Sequence, residues 1–336
     1  MPFDIQDLRK DLVGYINNGN KTFLQGALLS GEIFLSKHTK RLTKINGEYG
    51  SVVAMIGHVV QSYYSKTFTP YDDVAFKEKT LKTFRQKVDF TLDPAEVLGT
   101  IYAEMFDEGK KPAEKKVAKE VLNLVVAKII DDLNYLSING KYDATKVGAN
   151  PPVFGTSMDG LNEVLVKLSA AGNPYLMPGD AITTSNIVDV FTKYEKNLPT
   201  MAKPKVKKIF TSAEDLEEYQ EAYDDQFGIR PSYDANGMTK TRFGKREIVG
   251  IPGLKKGTIF STIQDNFLEL VDVVENPAQI TDIQVNHRVI DMLSEFSLGY
   301  DFGFDQYVYL HTADGAANEG LKTAEDNKLW YPSEFK

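Results

Sequence analysis

One long stretch of helical periodicity constrains this chain more than any other feature. From Pro112 to about Asn139, apolar residues recur three and four positions apart, which predicts one face of an amphipathic α-helix. Pro112 suits the first helical position because its missing N–H would be unpaired there, and Asn139-Gly140 is typical of a left-handed helix terminator. At about 1.5 Å per residue the helix would span roughly 40 Å, well above the ordinary length of about 11–12 residues. A helix of this length usually spans a whole domain.

Composition and charge narrow the class of protein. The 336 residues suffice for one large domain or two ordinary ones, and 42% hydrophobic with 26% charged residues indicates a folded globular protein. The net charge of −8 argues against wrapping nucleic acid, and the lack of cysteine excludes disulfides and thiolate sites. The start of the chain does not resemble a signal peptide, and no apolar run is long enough to span a membrane. We therefore expect a cytosolic protein without a membrane segment.

Two segments before the long helix predict parts that extend from the body of the protein. The basic run from Lys37 to Lys44 is either a solvated face or an arm lying across an acidic neighbouring subunit. Residues 51–68 are rich in Val, Ile and Tyr, residues 81–92 alternate between apolar and polar, and the charged triplet 77–79 lies between them. This pattern predicts a two-stranded ribbon with a charged, poorly buried end. Because an isolated hairpin is marginal in water, such a ribbon is best explained if it lies on another molecule.

After the long helix the predicted elements are shorter, and the loop from Gly148 to Gly155 marks an internal boundary. We predict helices at 159–171, 185–198 and 213–227 and strands at 205–210, 245–251 and 257–263. Ser212 with Asp215 forms a capping box for the third of these helices. The alternation from Phe296 to Leu310 predicts one long strand, followed after Ala313 by a polar, irregular tail. We expect this strand to bury, within the same chain, three residues of the long helix: Val121, Val125 and Ile129.

The sequence carries no recognisable catalytic signature. The stretch from Gly250 to Thr258 departs from the phosphate-binding loop, in which the second glycine is followed by Lys and then Ser or Thr. A calcium loop around Asp234 would place Phe243 where the bidentate Glu is needed. The four histidines share no metal-ligand spacing. We therefore predict no catalytic residue, metal site or cofactor, and this favours an assembly protein over an enzyme.

The order of elements resembles a known family. It runs from an arm through a charged ribbon, one very long helix and a mixed helix–strand insert to a long return strand. The stretches that carry the likeness are Val88–Pro94, Ile138–Asp143, Thr156–Leu161, Lys208–Asp215, Gln226–Gly228, Val249–Leu254 and Thr258–Phe267. From about residue 51 to residue 311, the chain resembles the major capsid proteins of tailed double-stranded DNA bacteriophages, which have the Hong Kong 97 (HK97) fold.

The resemblance implies an α+β, HK97-like fold divided into named segments. These are an N-terminal arm (1–50), an extended β-ribbon loop (51–92), a peripheral domain with a β-sheet and spine helix 112–139 (93–150 and 273–325), an axial domain (151–272) and a C-terminal tail (326–336). The type member of the family carries a long cleaved scaffolding region where this chain has a short arm. We therefore expect a separate scaffolding protein.

The function implied by the resemblance is that of a major capsid protein. Copies would assemble in the host cytoplasm into pentamers and hexamers of an icosahedral virion head, enclosing double-stranded DNA without sequence-specific binding. The implied partners are the chain itself, a scaffolding protein, the portal vertex and decoration or auxiliary capsid proteins. Candidate inter-subunit contacts lie in the basic run, the ribbon and an acidic helix: Lys37, Lys40, Arg41, Tyr71, Asp72, Lys77, Glu78, Lys79, Lys82, Arg85, Glu217 and Glu221.

Two alternatives remain open from the sequence. An encapsulin-type nanocompartment shell would share the fold, but it usually encloses a cargo enzyme and has a shorter ribbon. A soluble α/β enzyme with an unrecognised site belongs to another class. The size of the purified particles separates the enzyme from the shells, and their contents separate the two shells.

Overall fold

The computed structural model describes most of the chain from residue 33 onward. The described ranges are 33–56, 60–63, 67–68, 74–92, 117–227, 239–274, 279–286, 289–314 and 317–335, with Lys10, Val13 and Gly26. Within these ranges the chain forms five α-helices: α1 (Val117–Asn139), α2 (Leu161–Ala170), α3 (Ile187–Asn197), α4 (Ala213–Phe227) and α5 (Ala324–Trp330). The same ranges hold two five-stranded sheets and a two-stranded ribbon, which confirms the predicted α+β class.

The first sheet is built around its longest strand. Its strands are β1 (Lys40–Leu42), β4 (Phe84–Leu92), β9 (Phe267–Val271), β10 (Gln279–Asn286) and β11 (Val289–Phe302). Strand β4 runs antiparallel along one edge of β11, with Phe84 opposite Leu298 and Leu92 opposite Ile290. Strands β10 and β9 follow one another along the other edge, and β1 extends the sheet by pairing in parallel with β9.

The second sheet has the order β5 (Tyr175–Pro178), β12 (Val308–Thr312), β8 (Ile259–Thr262), β6 (Lys208–Ser212) and β7 (Glu247–Ile251). Helix α4 packs on β6 and β7 and contacts α3. Large aromatic side chains fill the core between this sheet and its helices: Tyr175, Phe191, Tyr194, Tyr219 and Tyr309. The predicted cap of α4 is confirmed, because the N–H of Asp215 donates to the Ser212 hydroxyl at 2.9 Å.

The long helix α1 lies against the first sheet and ends at Asn139 as predicted. Leu133 and Leu136 are buried in one cluster with Phe296 and Leu298 of β11. Two residues of the predicted stripe join this cluster within the same chain, Ile129 as a buried member and Val125 half-buried against it. Ile129 is buried as predicted and Val125 is only half-buried, whereas the side chain of Val121 lies outside the described part.

The glycine after α1 has a different role from the predicted one. Gly140 does not adopt a left-handed conformation. A Cβ at Gly140 would instead lie 2.6 Å from the carbonyl oxygens of both Leu136 and Met158. The Gly140 carbonyl accepts a hydrogen bond from the N–H of Gly160 at 2.8 Å, just before α2 begins. Glycine is therefore required by close backbone approach between the end of α1 and the start of α2.

The predicted pairing of the ribbon is wrong. Strand β2 (Glu48–Ile56) pairs with β3 (Val74–Lys82), and the predicted partner 81–92 is mostly β4 of the first sheet. The charged triplet 77–79 therefore lies within a strand and not at a poorly buried end. Alternation in 81–92 indicates one buried face but carries no information about which strand lies beside it.

The predicted long strand and irregular tail also need correction. The run 296–310 is interrupted by a short 3-10 turn, Asp305–Tyr307, so that β11 lies in the first sheet and β12 in the second. The large side chains resume the same alternation after the turn, at Val308 and Leu310, so Gln306 is the one in-phase position of the run that departs from the pattern. The tail contains α5, whose start is capped by Thr323, and it buries Trp330 in the second core. This single tryptophan anchors the tail by apolar burial.

Candidate assembly surface

The ribbon formed by β2 and β3 has two faces of different character. The pairing is antiparallel from Glu48 opposite Lys82 to Ile56 opposite Val74. Successive side chains of a strand point to opposite faces, so Lys77 and Lys79 share one face. This inner face lies on the subunit's own body, and the other face points outward.

The inner face is held by charged groups. The Lys79 ammonium donates to Asp301 at 2.9 Å, to Asp305 at 2.6 Å and to the backbone carbonyl of Phe302 at 2.6 Å. Lys77 donates to Asp326 at 3.1 Å. Burial raises the pKa of Asp301, while the positive charge of Lys79 and a hydrogen bond from the same ammonium oppose the rise. Both lysines, predicted as contacts with another subunit, thus have carboxylate partners within their own chain.

Apolar side chains also attach the ribbon to its own subunit. Leu81, near the end of β3, is completely buried in a small cluster with Leu268 and Leu270 of the first sheet. Val53 and Met55 of β2 are half-buried against the second core. The ribbon is therefore an integral part of the fold, and it touches elements associated with both sheets.

The outer face of the ribbon is exposed and carries both apolar and charged side chains. Phe76 is 68% exposed and Val52 is 56% exposed, and Glu78 and Lys82 share this face, whereas Lys77 and Lys79 point inward. Beyond the ribbon, Val60, Tyr63 and Phe68 are each at least 90% exposed. Burying a large apolar side chain is worth about 1.5–3 kcal/mol relative to leaving it in water. An outer face that leaves Phe76 and Val52 in water is suited to being covered by another molecule.

A second exposed apolar surface lies on and beside α1. Leu124 is 62% exposed, Tyr135 is 51% exposed and Phe154 is 59% exposed. The rings of Tyr135 and Phe154 lie 5.4 Å apart, centroid to centroid. The buried face of α1 points to the first sheet, so these residues lie on the part of the helix that the subunit itself leaves uncovered.

The basic run is attached to its own chain. Arg41 in β1 donates to the buried carboxylate of Glu269 at 2.7 Å, and the Ser36 hydroxyl donates to the same carboxylate at 2.6 Å. Lys40 lies 3.5 Å from Asp265, and Lys37 is exposed. Edge strand β1 thus fixes this part of the arm on the first sheet, with Lys37 directed to solvent.

The remaining predicted contacts are distributed over the surface. Glu78, Glu217 and Glu221 are exposed. Lys82 is also exposed, with its ammonium 4.0 Å from the Glu48 carboxylate and 5.8 Å from the centre of the Phe84 ring, and the exposed Arg85 is paired with Glu295 across β4 and β11. Tyr71 and Asp72 lie outside the described residues. The inter-subunit role of all twelve candidates stays a prediction. Sequence reasoning selected mainly charged residues and missed the outward apolar ones. The available signal was the alternation of β3, which places Phe76 on the face opposite Lys77 and Lys79.

The described residues do not form a metal site or a membrane span. Among the described residues, no three His, Asp or Glu side chains are grouped to hold a metal ion, and no helix is long and apolar enough to cross a membrane. A cavity of about 180 Å³ lies beneath the ribbon and is lined by Lys79, Asp159, Lys167 and Asp301. Its charges are arranged in ion pairs, Lys79 with Asp301 and Lys167 with Asp159. Such pairing is typical of structural contacts.

The fold can be compared with solved structures. No family model matches the sequence, and no curated protein does. A chain in the procapsid of satellite phage P4, a structure that includes the size determination (Sid) protein, aligns with a TM-score of 0.57 at 12% identity over 93% of this chain and 100% of that one. A chain in the capsid of a native GTA particle aligns with 0.52 at 8% identity, over 84% and 90% of the two chains. A chain in the capsid of the Myoviridae phage XM1 aligns with 0.50 at 10% identity, over 87% and 91%. The chain therefore has the fold found in the capsids of phages.

Proposed function

We propose that this chain is a major capsid protein, whose copies form pentamers and hexamers of an icosahedral head around a packaged phage genome. The single observation that carries the proposal is the fold, which aligns with phage capsid chains along nearly the whole length of both partners. The ion pairs that line the cavity beneath the ribbon, Lys79 with Asp301 and Lys167 with Asp159, fit a structural role.

The proposal also assigns each of the two sheets to a domain of the capsid subunit. We assign the first sheet with α1 to a peripheral domain and the second sheet with α3 and α4 to an axial domain around the symmetry axes. This assignment differs from the segments expected from the sequence at two strands. Residues 267–271 belong to the peripheral domain because β9 pairs in the first sheet, and residues 308–312 belong to the axial domain because β12 pairs in the second sheet. The ribbon and its loop (57–73) would extend over a neighbouring copy.

The exposed surfaces support assembly from identical copies. Head-to-tail contacts that close into rings require two different, complementary patches on each subunit. The outer face of the ribbon and the uncovered part of α1 are two separate apolar surfaces, marked by Phe76 and Leu124 respectively. The net charge of −8 suits a wall that encloses DNA without binding it tightly. A scaffolding protein, a portal vertex and decoration proteins would complete the head, which assembles in the host cytoplasm and becomes part of the virion.

Expression of the full chain, alone and together with a scaffolding protein encoded beside it, tests the proposal. Negative-stain microscopy and sedimentation should reveal rings or closed shells of uniform size. Only monomers or dimers in both preparations would overturn the proposal. Shells recovered from infected cells should protect DNA from added nuclease, whereas shells filled with a single protein cargo would favour the nanocompartment.

A further inference from the structure

The most completely satisfied charged group on the ribbon is Lys79. Its ammonium has three N–H donors, and the three acceptors supplied by Asp301, Phe302 and Asp305 use all of them. The Lys79 side chain is only 19% exposed, and the side chains of its two carboxylate partners are 24% and 19% exposed. Lys77, by comparison, is 43% exposed and has one carboxylate partner. We call Lys79, Asp301 and Asp305 the latch.

The latch lies where the chain passes from the first sheet to the second. Asp301 stands at the end of β11, and Asp305 begins the 3-10 turn that carries the chain from the first sheet to the second. Lys79 stands opposite Ser51 in the middle of the ribbon. Lys79 thus ties the middle of the ribbon to the junction of both sheets, in addition to the apolar contacts of Leu81 and the ion pair of Lys77 with Asp326. A ribbon of two strands is marginal by itself, so it needs such an attachment to keep one direction.

We propose that Lys79 is a positioning residue for assembly, an inference that rests on the proposed shell function. By holding the ribbon on the junction of the two sheets, the latch orients the loop 57–73 before a neighbouring copy arrives. The ribbon then loses less conformational entropy when a neighbouring copy binds. Preorganisation of this kind strengthens binding because less entropy is lost on association. We expect the subunit to keep its two cores without the latch, because the latch consists of partly exposed charged groups and contributes no apolar side chain to them.

The test compares Lys79→Met with the matched control Lys87→Met in the full chain. Lys87 lies on the neighbouring strand β4, and its side chain is 73% exposed beside Asp89. For Lys79→Met we expect faster amide exchange in 48–56 and 74–82 with unchanged exchange in α1. The subunit concentration needed for shells should rise at least about tenfold, which corresponds to about 1.4 kcal/mol. Lys87→Met should match the wild type in both measurements.

A charge exchange and a milder variant complete the experiment. Lys79→Glu combined with Asp305→Lys should recover part of the assembly lost in Lys79→Glu alone, since one ion pair is restored. If Lys79→Met does not fold, Asp305→Asn releases one carboxylate only and should show intermediate ribbon exchange and an intermediate concentration for shells. Normal assembly of a folded Lys79→Met protein, or of Asp305→Asn in the other case, would overturn the inference.

The latch and the shell function can fail separately. Absence of shells from the wild-type chain would overturn the proposed function, while the exchange of the ribbon amides in Lys79→Met would still report whether the latch orders the ribbon. Unchanged ribbon exchange in that variant would refute the latch whatever the wild type assembles into.

Discussion

Two leucines on the same helix test whether α1 is buried in its own subunit. Leu133 is 2% exposed and Leu124 is 62% exposed, and both lie within α1. We consider the same truncation at each site, Leu133→Ala and Leu124→Ala. Helix propensity changes equally in the two variants and slightly favours Ala, so a difference between them reports packing.

The expected magnitudes follow from burial. Leu133 packs in the cluster that joins α1 to Phe296 and Leu298, and truncation there removes apolar contacts and leaves a cavity. Such a substitution costs about 3–5 kcal/mol of unfolding free energy. Leu124 has little to lose within the subunit, and we expect a change below about 0.5 kcal/mol.

Urea unfolding of the unassembled subunit, followed by far-UV circular dichroism, measures both values. The account predicts a large fall in the midpoint for Leu133→Ala and nearly the wild-type midpoint for Leu124→Ala. Equal losses in the two variants, or a larger loss for Leu124→Ala, would refute the packing described for α1. Leu124→Ala should instead weaken shell assembly if a neighbouring copy covers that surface.

Three further predictions follow from other parts of the chain. Burial lowers the pKa of both His38 and His311, so the folded state prefers the neutral imidazoles. Their contribution to the free energy of unfolding should be fully present above about pH 6.5 and should fall as the pH drops through the lowered pKa values. A double His→Gln variant should therefore lose less thermal stability than the wild type between pH 7 and pH 5. Arg246→Met should cost about 3–5 kcal/mol in denaturant unfolding, because it leaves the buried Glu195 carboxylate unpaired, and adding Glu195→Met should recover much of that loss. Residues 57–73 can be replaced by Asn-Gly, which joins Ile56 to Val74 as a two-residue hairpin. This variant should keep the melting temperature of the wild-type subunit but form no shells, as measured by sedimentation. Stable shells from this variant would show that the loop is dispensable.

Elements defined by local chemistry could be predicted from the sequence. Helix α4 begins and ends at the predicted residues, because the Ser212 cap fixes its start and involves only neighbours in the chain. The end of α1 at Asn139 was also predicted, although Gly140 serves close approach to Met158. That contact joins residues distant in sequence, so the spacing of residues could not reveal it.

The pairing of strands could not be predicted in the same way. An alternation of apolar and polar residues indicates that one face of a strand is buried, but it does not show which strand lies beside it. For this reason the sequence predicts residues 81–92 as part of the ribbon, although they belong mainly to the first sheet. The turn Asp305–Tyr307 interrupts the alternation only at Gln306, and the change of sheet shows that the chain turns there. The sequence predicts a charged ribbon, but the partners of its two inward lysines, Asp326 for Lys77 and Asp301 with Asp305 for Lys79, depend on the tertiary fold.

A cryo-electron-microscopy reconstruction of the assembled particle tests the central claim most directly. The account predicts a closed shell of repeated copies of this fold, with the loop 57–73 of each subunit lying on a neighbouring subunit and Lys79 still bound to Asp301 and Asp305 of its own chain. A particle in which that loop folds back on its own subunit, or a chain that forms no shell either alone or with a candidate scaffolding protein, would contradict the account.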